Sequence, residues 1–316
     1  MQTPLNIGVD VAKKELVVAC AANTFITHSI ANRRAELRTW LKSLPQGSRI
    51  GLESTGTYHE LLADLAYQQG FSVFVLNPRD TRHYAKGVGA RAKTDRVDAQ
   101  IIARYLAREY LQLHPYQPPT ADQRRIDQLL RRRAKLSTIR AMLRQSLNDL
   151  DRCGPEIKAV FAKFDALIKK IDLTLARLSA ACPERFQTQQ HLQSIIGVGP
   201  IVGISLSNLL QRIAFRNADA FVAFLGYDTR PEDSGQKRGR RRLSKRGPGE
   251  LRRLLFNAAM SASKCEPWNP IYRHYRDKGL SGTAALCIIA RKIARTAWSI
   301  SKHKTLFDPK RLTCQP

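Results

Sequence analysis

The sequence predicts an α/β amino-terminal domain on a mixed sheet, then a long helical hairpin, then a mainly α-helical carboxyl-terminal domain. Three observations carry this: short apolar runs set close together open the chain, strand and helix periods then alternate, and beyond a proline-rich stretch the pattern is helical. LNIGVDVA, ELVVACAA and TFITHSIA, all before residue 32, read as a three-stranded antiparallel meander. RAELRTWLKSL has helical spacing, RIGLEST reads as a strand, YHELLADLAYQQ as a helix and SVFVLNP as a strand ending at Pro78. From Thr94, Val97, Ile101, Ile102, Tyr105 and Leu106 recur at steps of three and four, which predicts one more helix. The order βββαβαβα describes a sheet whose edge is the meander and whose remainder is wound with helices.

LHPYQPPT (113–120) ends this domain, placing its boundary at residues 1–112. Ile126, Leu129, Leu136, Ile139 and Leu143 then recur at helical steps through an arginine-dense segment, interrupted at Cys153-Gly154-Pro155. Ile157, Val160, Phe164, Leu167, Ile171 and Leu175 follow with the same period. Residues 113–187 are therefore expected to form an antiparallel coiled-coil hairpin, closed in cis or against another protomer. Residues 188–316 make the third domain. There IIGVGPIVG sets Gly197 and Gly199 between apolar helical runs, a helix-hairpin-helix pattern whose amides can meet a phosphate; a glycine-rich junction inside a helical core is the plainer alternative.

Charge narrows the function. Against 26 Asp and Glu stand 53 Lys and Arg, a formal +27 over 316 residues, which implies a polyanionic partner. No stretch approaches ~20 uninterrupted apolar residues, and MQTPLNIGVDVAKKE lacks a signal-peptide layout, so no membrane is expected and the cytoplasm, with the nucleoid, is the expected location. Six cysteines without a CxxC pair suggest neither a zinc ribbon nor a disulfide framework, and read as small buried hydrophobes.

Asp10 ends the first strand in GVDVAK and Glu53 ends the fourth in GLESTGTY, while Asp95 and Asp98 of KTDRVDA share one helix face near its amino terminus. In this winding the first and fourth strands are neighbours, and the last helix crosses their ends. Four convergent carboxylates repel by ~4 kcal/mol per pair at ~4 Å and an effective dielectric of ~20, which a cation relieves. Hard oxygen donors without sulfur or imidazole select Mg2+ or Mn2+, and two such ions serve phosphoryl transfer. Taken singly, a strand-end Asp can form a turn and Asp95 can cap a helix. All four in this strand order, in a chain at +27, favour the metal centre.

Ser234, beside Gly235, precedes a run in which 7 of the 11 residues from 236 to 246 are Lys or Arg: Lys237, Arg238, Arg240, Arg241, Arg242, Lys245 and Arg246. A hydroxyl on such a loop is placed to attack a phosphodiester, with guanidiniums to stabilise developing charge; a solvated linker is the plainer reading. Ser244 is the competing hydroxyl, read as a helix cap or phosphate contact. Arg252 and Arg253 prolong the basic face, and Arg291, Lys292 and Arg295 repeat it on a later helix.

These motifs, spread over nearly the whole chain, resemble the DEDD transposases of the bacterial insertion-sequence group one-ten, which includes the Piv-type DNA invertases. GVDVAK, GLESTGTY and KTDRVDA resemble the family's RuvC-like acids, implying an RNase H-like domain with Asp10, Glu53, Asp95 and Asp98 on magnesium. FLGYDTRPEDSG and LSKRGPGELRRLLFNAA resemble its carboxyl-terminal transposase domain, implying Ser234 as nucleophile. The resemblance further implies strand exchange through a covalent phosphoserine and a Holliday junction. It also implies guidance by a non-coding bridge RNA pairing with donor and target DNA, and tetramers associating through the hairpin. Rival readings are a RuvC-like junction endonuclease using activated water, an actin-like ATPase, which would need phosphate-loop glycines missing here, and an architectural nucleic-acid binder, which leaves the four acids without a purpose.

Overall fold

In the computed structural model, which describes residues 3–20, 26–54, 56–90, 92, 94–150, 154–230, 239 and 241–312, the chain divides into two units, Met1–Pro118 and Pro119–Pro316. The first unit runs β1 (Asn6–Val11), β2 (Glu15–Cys20), β3 (Ile26–Ala31), α1 (Arg34–Lys42), β4 (Arg49–Glu53), α2 (Glu60–Gln68), β5 (Ser72–Leu76), α3 (Pro78–Gly87) and α4 (Asp95–Glu109). Its sheet order is β3-β2-β1-β4-β5, with β1 antiparallel to β2 and parallel to β4, as the meander reading expects.

Alternation of side chains along the strands divides the labour of the two faces. Ile7, Val9, Ile50 and Leu52 point to the face covered by Leu37 and Leu41 of α1 and Leu62 and Leu65 of α2. The opposite face takes α4, whose Ile102 and Leu106 pack with Phe74 and Leu76 of β5. On that face Gly8 of β1 lies opposite Gly51 of β4. A Cβ on Gly8 would stand 2.2 Å from the Ala99 carbonyl oxygen and 2.2 Å from the Ala103 amide nitrogen, so α4 rests with its backbone directly on the strand.

One helix has no counterpart in the sequence reading. SVFVLNP does end a strand, but Pro78 is also the first residue of α3, with Asn77 capping it by accepting from the Arg79 amide at 3.0 Å. The proline-rich strap stays with this unit beyond residue 112. The Tyr116 amide donates to the Val73 carbonyl at 2.7 Å and the Tyr116 hydroxyl to Asp64 Oδ1 at 2.8 Å.

The second unit opens with α5 (Ala121–Ser146), whose Thr120 and Gln123 form a capping box, and α6 (Gly154–Ala180). Gly154-Pro155 starts α6 instead of forming the turn. Arg133 pairs with Asp172 and Arg140 with Asp165, seven residues on along α5 and seven back along α6, so the hairpin closes antiparallel and in cis. Then follow α7 (Pro183–Gln193), α8 (Pro200–Arg212), α9 (Ala218–Leu225), β6 (Thr229–Arg230), β7 (Arg242–Leu243), α10 (Gly249–Ala262), α11 (Trp268–Asp277) and α12 (Gly282–His303). Phe221, Tyr227, Leu255, Trp268 and Ile293 centre their core. The short β6–β7 ribbon interrupts the helices of this mainly α-helical unit.

Cysteines are less buried than expected, because none of the four described ones is in the core: Cys265 is exposed and Cys20, Cys182 and Cys287 are half-buried. No helix among the described residues is long and apolar enough to cross a membrane. Charge is unevenly shared, with 15 Lys and Arg against 10 Asp and Glu in residues 1–118 and 38 against 16 in 119–316.

Candidate carboxylate centre and the base of the serine loop

Asp10 follows Gly8 by two residues on β1, and Glu53 follows Gly51 by two on β4, so both acids share the α4 face of adjacent parallel strands. The glycine seats the helix and the acid projects beyond it. Because Gly8 lies under Ala99 and Ala103, Asp10 falls towards the first turn of α4, where Thr94 caps the helix by accepting from the Val97 amide and Asp95 and Asp98 stand.

The four acids sense one another there. The Asp10 carboxyl is pushed up from 3.8 to about 6, first by burial and then by the negative charges of Asp95, Asp98 and Glu53, against a smaller lowering by the Val11 amide. Glu53 is held from the side, its Oε2 accepting from the hydroxyl of buried Thr81 on α3 at 2.8 Å. Among the described residues no three His, Cys, Asp or Glu side chains close on one point as a finished ligand cage. Such a cage is what calcium or zinc needs. Magnesium is usually held by one or two carboxylates, waters and substrate phosphates, so an all-carboxylate donor set that is loosely convergent fits that ion.

Ser234, Lys237, Arg238 and Arg240 lie outside the described residues. The elements on either side of them in the chain are β6 and β7, and these are firmly joined. The Ser244 amide donates to the Asp228 carbonyl at 2.8 Å, and the buried Ser244 hydroxyl donates to Asp228 Oδ1. Ser244 is thus neither the cap of α10, whose cap position is Pro248, nor open to a phosphate. A Cβ on Gly247 would lie 1.7 Å from the Phe224 carbonyl oxygen, a close crossing that only glycine permits.

The remaining expected nucleic-acid contacts separate into two kinds. Arg241, Arg242, Lys245 and Arg246 are all exposed, on and beside the ribbon and in the turn after it. Arg252, by contrast, donates through Nη1 to the carbonyls of Leu225 and Gly247, and Arg253 forms a two-point pair with Glu250. These two guanidiniums brace the ribbon and α10. Of the glycine pair, Gly197 (φ +96°) is pressed against α10, with Ala258 O 2.5 Å from a would-be Cβ, which is the packing alternative. Gly199 is exposed at the start of α8 with open space around it.

Sequence reasoning missed Thr81, Asp228 and the bracing role of Arg252. A signal for the first existed in Asn77-Pro78, which marks a helix start beside Glu53. The repeated glycine-x-acid of Gly8-Val9-Asp10 and Gly51-Leu52-Glu53 was a second.

A family model described as "Transposase", of the IS110-type DEDD group, matches residues 7–153, and one described as "Transposase IS116/IS110/IS902 family" matches residues 189–274. Similar curated proteins include the pilin gene-inverting protein of Moraxella bovis, 26% identical with 96% of this chain and 97% of the relative covered. A probable family 20 transposase of Pseudomonas aeruginosa is 25% identical, with 96% and 98% covered. The transposase for insertion sequence element IS1328 of Yersinia enterocolitica is 24% identical over the same shares.

Proposed function

We propose, for a chain that belongs to the IS110 family of transposases and is therefore a DNA recombination enzyme, that Asp10, Glu53, Asp95 and Asp98 form a magnesium-dependent centre working with Ser234 as nucleophile. The observation that carries this is the gathering of the other three acids about Asp10, whose carboxyl is pushed up first by burial and then by the charges of Asp95, Asp98 and Glu53, a cost a protein keeps where a cation or a reaction uses it. The order β3-β2-β1-β4-β5, with acids at the ends of β1 and β4 and on a crossing helix, supports an RNase H-like first domain. Magnesium (or manganese) bound there would polarise the scissile phosphate and neutralise charge on its oxygens.

This chain's own residues then have distinct tasks. Thr81 orients Glu53 by donating to it. Asp228 and Ser244 hold the two strands at the base of the segment that carries Ser234. The Ser234 oxygen attacks phosphorus, its proton leaves to a base, and the 3′ oxygen departs, giving a phosphoserine that a second strand's hydroxyl resolves. Arg241, Arg242, Lys245 and Arg246, with Lys237, Arg238 and Arg240, hold the nucleic-acid backbone near the serine, and the backbone amide of exposed Gly199 offers a further phosphate contact. Arg252, Arg253 and Gly197 support that surface indirectly, by bracing and packing α10.

Donor and target duplexes are the substrates, a bridge RNA supplies sequence choice by pairing, and protomers assemble as a tetramer through the hairpin of 113–187, leaving 1–112 and 188–316 as the chemical domains. Family membership supports these last three statements, and the name of the Moraxella relative, a gene-inverting protein, accords with conservative strand exchange. The test is denaturing electrophoresis of the protein with magnesium, bridge RNA and end-labelled donor and target DNA. Wild type is expected to give a protein-DNA adduct that Ser234→Ala abolishes while still binding DNA. A Ser234→Ala protein that keeps cutting would instead identify a hydrolytic junction endonuclease.

A further inference from the structure

The helix absent from the sequence reading, α3, has two faces with different duties. Its inner face carries Thr81, bonded to Glu53, and Tyr84, whose ring meets that of Tyr105 on α4 with centroids 4.9 Å apart. The helix is thereby fixed both to the strand that ends in Glu53 and to the helix that bears Asp95 and Asp98. Its outer face repeats at steps of three and four as Arg79, Arg82, His83 and Lys86, all exposed. These side chains sit in the less basic of the two units, where 15 Lys and Arg face 10 Asp and Glu, so general charge excess does not explain three of those cations, with a histidine, on one short face.

We propose that this face of α3 binds the phosphodiester backbone of the DNA strand being cut and lays it beside Glu53, an assignment that rests on reading the four acids as the cleavage centre. Four carboxylates repel a polyanion. A strand brought to them needs compensating cations on a neighbouring surface whose position relative to the acids is fixed, and α3 is the element that the Thr81 and Tyr84 contacts fix in this way. Guanidinium and ammonium groups spaced along a helix suit consecutive phosphates, which carry no base identity, so the contact would position the strand without selecting its sequence.

The test compares full-length Arg82→Gln/Lys86→Gln with a charge-matched control, Arg38→Gln/Lys42→Gln, on the exposed side of α1 across the sheet. Each is titrated with a fluorescein-labelled 30-base-pair DNA duplex in magnesium between 50 and 200 mM salt, and with a single-stranded RNA of equal length. Two lost phosphate contacts are expected to lower the slope of log affinity against log salt by about 2, with roughly tenfold weaker duplex binding, while the control changes by well under 1 and RNA binding stays. An unchanged slope, equal losses in both variants, or an equal loss on RNA would overturn the assignment. Magnesium-induced thermal stabilisation of the same proteins, and its loss in Asp10→Asn, reports on the acids separately. If that response is missing from wild type, the reading of the acids has failed, and the claim that the bound strand is the cut one falls with it.

Discussion

Replacing Asp10 by Asn should make the metal-free protein more stable, not less. The Asp10 carboxyl titrates near 3.8 when unfolded and at about 6 in the fold, so the folded state holds its proton more tightly. Stability linked to that proton is fully present below pH 3.8 and is lost as pH rises through about 6. Two units and a little more, at 1.36 kcal/mol each, make a penalty of about 3 kcal/mol at neutral pH; solvent reaches part of the group, and screening brings the figure to about 1–2 kcal/mol. Asn has the same shape, can still accept from the Val11 amide, and carries no charge for Asp95, Asp98 and Glu53 to repel. Urea unfolding of wild type and Asp10→Asn in chelator should therefore show the variant ahead by about 1–2 kcal/mol at pH 7.5, by less at pH 5, and level near pH 4. On the proposed magnesium site, added metal should reverse the order, since a bound cation would gain from the Asp10 carboxylate and not from the amide. An Asp10→Asn protein no more stable than wild type in chelator at pH 7.5 would refute the claim that burial and the neighbouring acids together penalise the charged Asp10 carboxylate.

Gly8→Ala sets a methyl 2.2 Å from the α4 backbone and should destabilise the first unit by about 3 kcal/mol, read as an earlier urea midpoint. Thr81→Val removes the donor to Glu53 while keeping shape; it is expected to raise the magnesium concentration for half-maximal stabilisation about tenfold, and Thr81→Ser to restore it. Ser244→Ala leaves the Asp228 carboxylate without its buried hydroxyl donor and should cost about 1–3 kcal/mol locally, seen as faster hydrogen exchange at the Ser244 and Lys245 amides, which bond to Asp228 and Gly226.

Much of the first unit was legible because its signals are local. The meander, the two later strands and α4 each repeat their apolar residues with one clear period, and topology then makes β1 and β4 neighbours. Helix α3 escaped because its face is set by Thr81 and Tyr84, two residues with polar atoms, so no apolar stripe announces it; only its Asn-Pro start does. The hairpin was legible as two helices, yet whether it closed in cis could not be read from apolar spacing. That was decided by pairs such as Arg133 with Asp172, which are visible only once the register is known.

The serine region was the least legible, for a reason that bears on the chemistry. Its sequence advertises charge, and charge alone cannot distinguish a guanidinium that meets a phosphate from one that holds the chain together. Arg252 shows the second use, spanning the carbonyls of Leu225 and Gly247, and Ser244 shows that a hydroxyl in a basic segment can be wholly enclosed. Both sit near the close approach of Gly247, in the turn before α10, to Phe224 of α9. On the proposed mechanism Asp228 and Ser244 anchor the segment that carries Ser234, and Ser244→Ala is expected to slow adduct formation in the denaturing gel, where an unchanged rate would refute the anchoring role.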